Sequence, residues 1–459
     1  MTIDILPDNV FLEIFDFCLC QYEPQLGSKK RTQRTKKWQI LVHVCRRWRS
    51  LIFASPRRLN LYLSCSYGTR VRENLAYWPV TLPLSVDYGH YHHTPEDDNV
   101  LAALEHSGRV HRISIVGTDS LLKKVGKVMQ KQFPALSHLY IEWNHEGNVP
   151  VIPRTFLGRP ALQLQYLYLS FISLPHLPLL LSSASNLVTL TFENISQAGY
   201  TSISPKVMAE GLAMLPNLTT LSIIFSQGST VTDQSPPIQA ILPSLTSFNY
   251  RGYSDYLEDL LARLDTPRVH CVEIDFYVHD HRALQLSRFL NRTENLKLDQ
   301  FMRARLILSP EDFSFKLDYP PGNCCQAVLS LTIYQDWGVM PVPYSAHILG
   351  QLTATFSNVD HLSVHGDQAG LDEINSTEWL PFLRQFPAVE ELHLSGGVEA
   401  YIVSELEHTA DSVTDLLPAL HSIWLDDRQK DDDDVPVRSM ERFLSLRQLS
   451  GRPVTIVDT

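Results

Sequence analysis

Little in this chain suits an oxidising compartment or a bilayer. Cysteine is scarce: seven fall among 459 residues, at 18, 20, 45, 65, 271, 324 and 325, with no Cys-x-x-Cys pair. An odd, scattered set argues against a disulfide scaffold and against a zinc finger. Long apolar runs are missing too, since the richest, LPHLPLLL at 174–181, is short and broken by proline. The start, MTIDILPDNV, carries Asp4 and Asp8 where a secretory leader would be basic. These absences lead us to expect a soluble protein of the cytoplasm, the nucleus or both.

Catalytic signatures are absent as well. There is no G-x-S-x-G elbow and no Walker phosphate loop; GTDSLLKKVGKV at 117–128 has glycine and lysine at the wrong spacing. GHYHH (89–93) and HDH (279–281) offer imidazoles, but both read as loops. A metal site also needs carboxylate support and fixed spacing on rigid elements. Cys324-Cys325 has no neighbouring histidine to activate a thiol, and DDDD at 431–434 lacks the spacing of a calcium loop. The expectation is a protein with no catalytic residue, no metal and no cofactor.

What the chain does have is divided in two. Its net charge of −11 combines a basic start with an acidic remainder: residues 1–60 hold eleven Lys+Arg against five Asp+Glu. Opposite charge on two parts suggests two jobs. In the first part, LPDNVFLEIFDFCLC places Val10, Phe11, Ile14, Phe15 and Cys18 at helical spacing. A second run, KWQILVHVCRRWRSLIFAS, puts Trp38, Leu41, Cys45, Trp48 and Ile52 on one face, ending at Ser55-Pro56. Helices this apolar cannot bury themselves in about fifty residues, so part of the stripe should be a docking surface.

Beyond residue 60 the pattern L-x-x-L-x-L recurs, with Ile, Val, Phe or Tyr allowed: VHRISI, LSHLYI, LQYLYL, LVTLTF and LTTLSI among others. Its central residues stand at 113, 139, 167, 190, 221, 248, 272, 331, 362, 392 and 423, mostly 23 to 31 apart. One interval of 59 leaves room for a degenerate repeat near 296–308. Many strands are preceded by a proline-led entry: FPAL, LPNL, LPSL, FPAV, LPAL. This is the signature of a leucine-rich-repeat solenoid of about twelve strand–helix repeats, an α/β fold. Alternate residues must then point out on the concave side, among them Tyr140, Tyr166, Tyr168 and Trp424, the aromatics best suited to anchor a partner.

Together, LPDNVFLEIFDF and WQILVHVCRRWRSLIFASP resemble the F-box, through the Leu-Pro start, the Ile-Phe pair and the Val-Cys-x-x-Trp-Arg core. The joined architecture resembles the F-box proteins with degenerate leucine-rich repeats found in mushroom-forming fungi. It departs in lacking the regular Asn or Cys after each strand, so turn hydrogen bonds should differ from repeat to repeat. A second departure is the insert at 21–37, which carries Lys29, Lys30, Arg31, Arg34, Lys36 and Lys37. It reads as a solvated loop, a nuclear-import signal or a nucleic-acid patch, although no aromatics interleave for base stacking.

The resemblance implies a division into an F-box module at 1–60 and a repeat solenoid at 61–459. It implies a substrate receptor of a Skp–cullin–F-box ubiquitin ligase, with no catalytic residue of its own. Leu6, Pro7, Val10, Ile14, Phe15, Val44, Cys45 and Trp48 would dock on the Skp-type adaptor and so reach the cullin. The solenoid would hold a target protein, and no membrane or extended nucleic-acid footprint is implied. The alternative is a repeat scaffold that binds a partner outside any ligase.

Overall fold

The computed structural model describes residues 5–20, 38–56, 58–59, 61–66, 70–89, 97–145, 147–158, 160–198, 201–225, 239–277, 284–293, 302–309, 312–318, 329–334, 356, 358–366, 379–408, 416–425 and 440–458. The chain packs as two compact units, Met1–Ile203 and Ser204–Thr459.

The first unit opens with two helices, α1 (Asp8–Cys20) and α2 (Arg46–Ala54). The Pro7 carbonyl accepts from Val10 N–H and Phe11 N–H at 3.1 and 3.2 Å, starting α1. The second apolar run is not one helix. Residues 38–42 are helical, but Cys45 is extended (φ −155°, ψ 171°) and caps α2, its Sγ accepting from Trp48 N–H. A residue whose side chain can take an orphan N–H at a helix start competes with continuing the helix. Cys45 is therefore a cap rather than a member of an apolar face. Phe11, Phe15, Trp38, Val42 and Ile52 form a core shared with Leu59, Leu61 and Leu82. Trp48 closes it edge-on against Phe15, with ring centroids 4.8 Å apart.

Six parallel strands follow in chain order: β1 (Leu63–Ser66), β2 (Leu84–Tyr88), β3 (Val110–Gly117), β4 (His138–Trp143), β5 (Tyr166–Ser170) and β6 (Thr189–Glu193). Helices α3 (Val71–Tyr77), α4 (Asp97–Leu104), α5 (Asp119–Val128) and α6 (Leu177–Ser183) lie between them in the chain. Helix α5 shows why these form. Thr118 Oγ1 accepts from Leu121 N–H at 3.3 Å, Asp119 and Lys127 complement the dipole, and Leu121, Leu122 and Val125 are buried. A short antiparallel pair, β7 (Ser196–Ala198) and β8 (Thr201–Ser202), ends the unit. Strands β1 and β2 extend the array earlier than the sequence pattern, which begins at 110.

In the second unit come α7 (Pro205–Leu212), β9 (Thr220–Ile224), β10 (Ala240–Ile241), β11 (Ser247–Tyr253), α8 (Ser254–Leu261), β12 (Leu264–Asp265), β13 (Cys271–Tyr277) and α9 (Leu284–Arg292). Then follow β14 (Arg303–Leu308), β15 (Asp312–Asp318), β16 (Leu329–Tyr334), β17 (His361–Gly366), α10 (Trp379–Leu383) and β18 (Glu391–Ser395). The last elements are α11 (Val398–His408), β19 (Ser422–Leu425), α12 (Glu441–Leu449) and β20 (Thr455–Asp458).

The long interval hides a strand exchange. Strand β14 exists where a degenerate repeat is expected, but it is out of sequence order. The strand next to β13 is β16; β15 then runs antiparallel between β16 and β14, and β14 lies parallel to β17. The sequence DFSFKLD carries Phe313, Phe315 and Leu317 at period two, all buried, so it forms a strand without matching the repeat motif. The ladder also slides: Val272 pairs with Leu329 and Ile274 with Leu331, rather than 272 with 331. A two-residue slide keeps every side chain on its face.

The proline-led strand entries share one turn bond. In Phe133-Pro134-Ala135-Leu136 the first carbonyl accepts from the fourth N–H at 3.1 Å. The same bond recurs from Leu218 to Leu215, Leu245 to Leu242, Val389 to Phe386 and Leu420 to Leu417. Proline at the second position of such a turn has its φ already set. The carbonyl just before each strand then receives the next repeat, as Ser137 O does from Gln165 N–H at 2.9 Å.

Candidate interaction surfaces

Most of the repeat strands bury alternate residues, and the intervening ones line the opposite, open face. In the first unit one row on that face reads Arg112, His138, Tyr166, Thr189 and the next Ser114, Tyr140, Tyr168, Thr191. All are half-buried, whereas Ile113, Leu139, Leu167 and Leu190 between them are fully buried. Register puts rings on rings. Tyr140 and Tyr168 stack with centroids 4.1 Å apart and planes at 4°, and His138 stacks on Tyr166 at 5.8 Å. Tyr140 donates its hydroxyl to Glu142 and Tyr168 donates to Glu193, which fixes both rings. Burial, then the adjoining carboxylate, pushes both phenols well above the usual tyrosine range, so they stay neutral donors. The structure thus brings three of the four expected anchors onto one wall.

The fourth, Trp424, lies on the open face of the second unit. Its indole stacks on His393, centroids 5.2 Å apart and planes at 3°, and its Nε1 donates to Ser422 Oγ at 3.2 Å. His393 belongs to a set the sequence reading missed. His361 Nε2 is 2.6 Å from Glu391 Oε2, and His393 Nε2 is 3.6 Å from the same oxygen. These residues come from strands thirty positions apart in sequence, so no local spacing signals them. The open face is not uniform, since Ser330 and Thr332 are buried between β13 and β15.

Along the segments that lead into β2 to β5 runs a groove of about 740 Å³. Tyr62, Val80, Arg109, His111 and His138 line it. Arg109 braces one wall, donating to the Leu82 carbonyl at 3.0 Å and to that of Pro79 at 3.0 Å.

The expected adaptor residues sort into two groups. Phe15 is fully buried, Trp48 packs against it, and Cys45 caps α2, so these three hold the helices together. Pro7, Ile14 and Val44 are exposed, with Leu6 and Val10 half-buried. Ile5 and Phe17, which the sequence reading left out, are 73% and 67% exposed. Val10, Ile14 and Phe17 form a second stripe along α1, beside the buried Phe11 and Phe15. Arg47 ties α2 to the start of α1, 2.7 Å from both Asp8 Oδ1 and the Leu6 carbonyl. The basic insert at 21–37, the GHYHH imidazoles, HDH, Cys324-Cys325 and DDDD lie outside the described residues. No described helix is long and apolar enough to cross a membrane.

No family model matches the chain, and no curated protein matches it. Among solved structures, a TLR13 chain from a TLR13–ssRNA13 complex is 13% identical, covering 79% of this chain at a TM-score of 0.32. This chain spans 45% of that one. The leucine-rich repeat-containing protein LegL7 from Legionella pneumophila is 12% identical, covering 87% of this chain and 91% of its own, at a TM-score of 0.23. The strands and helices themselves carry the conclusion: an α/β fold of leucine-rich-repeat type.

Proposed function

We propose that this chain is a non-catalytic protein-binding receptor whose partner lies on the open face of the strands. One observation carries the reading: the same strands that bury every inward residue hold aromatic and imidazole side chains in register on their other face. Tyrosines fixed by stacking and by a carboxylate bond lose little entropy when a partner covers them. Replacing Tyr140 and Tyr168 together by Ala should weaken partner capture by about thirtyfold, since an aromatic anchor contributes about 2 kcal/mol or more. Circular dichroism should be unchanged. Capture at wild-type strength by the folded variant contradicts the reading.

A second, finer reading rests on a separate observation, the exposed apolar stripe on α1. Here Ile5, Pro7, Ile14 and Phe17, with Val44 before α2, dock on a Skp-type adaptor, and the chain delivers its partner to a cullin-based ubiquitin ligase. The F-box resemblance of residues 1–60 supports this, and proximity would then be the chain's whole contribution to ubiquitin transfer. Co-expression with a Skp-type adaptor tests it. The full-length wild type should co-purify with the adaptor, and the Ile14→Asp/Val44→Asp variant should not, while melting as the wild type does. Equal adaptor recovery from both, or none from either, leaves the scaffold reading alone.

A further inference from the structure

We propose that His361, Glu391 and His393 form a binding site for a divalent cation of the zinc class. The proposal stands apart from the protein-binding reading and rests on where parallel strands place three donors. Strands β17 and β18 pair with His361 opposite Glu391 and Ser363 opposite His393. Glu391 and His393, two residues apart, therefore share the open face with His361 across the ladder.

One donor atom from each residue lies within 4.8 Å of the other two. A tetrahedral ion with bonds of about 2.0–2.2 Å holds its donors about 3.4 Å apart. His393 Nε2 and Glu391 Oε2, 3.6 Å apart, already stand near that spacing, and the 2.6 Å contact of His361 Nε2 is shorter than it. Two imidazoles and one carboxylate are ligands for zinc and its first-row neighbours, not for calcium or magnesium.

Two further observations point to a ligand. First, Asp360 Oδ1 lies 3.2 Å from His361 Nδ1. A carboxylate there accepts a hydrogen bond from Nδ1–H and leaves the Nε2 lone pair for a metal, the usual support of a zinc-bound histidine. Without a cation or a second proton, that lone pair faces a carboxylate oxygen at 2.6 Å. Second, His393 Nε2 is shielded from solvent and makes no hydrogen bond closer than its 3.6 Å contact with Glu391, while Trp424 holds its ring flat. Arg303, opposite His361 on β14, is the charge that opposes the site. Three protein ligands leave the fourth position to water or to a donor from whatever covers this face.

The test is titration of the metal-stripped full-length protein with zinc chloride, followed by heat, and with cobalt chloride, followed by absorption. His90, His92, His93, His279, His281, Cys324 and Cys325 are first replaced by Ala, so that local clusters add nothing. This parent should bind one tight equivalent, with a tetrahedral cobalt spectrum free of thiolate charge transfer. His361→Ala and His393→Ala should each weaken it at least tenfold, and Asp360→Asn by about 10–100-fold. Glu391→Gln keeps the shape of the side chain and should weaken it similarly, which guards against loss of fold. No uptake by the parent, or unchanged affinity in the folded His361 and His393 variants, overturns the proposal.

Discussion

At the scale of single residues, burial decides which polar groups are structural. Arg447 on α12 is fully buried and donates to the carbonyls of Leu420 and Leu417 at 2.8 and 3.2 Å. It clamps the proline-led entry of β19 as Arg109 clamps that of β2. Removing it leaves two buried carbonyls without that donor, so Arg447→Met should cost about 3 kcal/mol in urea unfolding. A loss below about 0.5 kcal/mol, the level of an ordinary surface change, contradicts that role. The cysteines divide by the same rule. Burial pushes the Cys65 thiol up to about 12, with Arg109 opposing weakly, whereas Cys18 is exposed. A thiol held protonated does not react. Native alkylation at pH 8 should label Cys18 and spare Cys65 until the protein unfolds, a difference that peptide mass mapping reads directly.

At the scale of elements, the strand exchange around β15 is the part of the fold that most needs testing. Phe315 is fully buried, with its ring 5.2 Å from Phe356. Its replacement by Ala should cost about 3–5 kcal/mol. Lys316 beside it points to the open face, and Lys316→Ala should change stability by less than about 0.5 kcal/mol. Equal effects from the two place DFSFKLD outside the sheet. The turn after β18 makes a similar point. Gly396 has φ +76°, and a Cβ there would run into the Gly366 carbonyl at the end of β17, so Gly396→Ala should destabilise by more than about 1 kcal/mol. Sequence shows such elements unevenly. Strands that repeat Leu at the right spacing, such as LSHLYI, are plain, because inward burial fixes residue type every second position. Strand β15 escapes because its period-two pattern lacks the motif, and its place between β16 and β14 depends on pairing distant in sequence. The break at Cys45 escapes because the apolar spacing runs straight through it, and only the cap geometry reveals it.

At the scale of the whole molecule, the two units share one design: apolar residues inward on the repeat strands, and rings, imidazoles and charges outward. The division of face was legible from alternation alone, as Tyr140, Tyr166 and Tyr168 illustrate. The His361–Glu391–His393 set was not, because its members meet only when β17 and β18 align. The exposed stripe on α1 was half legible, since helical spacing gives Ile14 but cannot tell it from the buried Phe15 one position on. The most direct measurement of the central claim is site-specific photo-crosslinking in full-length protein expressed in cells. A photoreactive residue is placed singly at Tyr168 and Ser222 on the open faces, and at Lys123 and Glu441 on the helices. Protein adducts from the two open-face positions, with none from the helix positions, are the predicted result. Adducts confined to Lys123 and Glu441 would contradict the account.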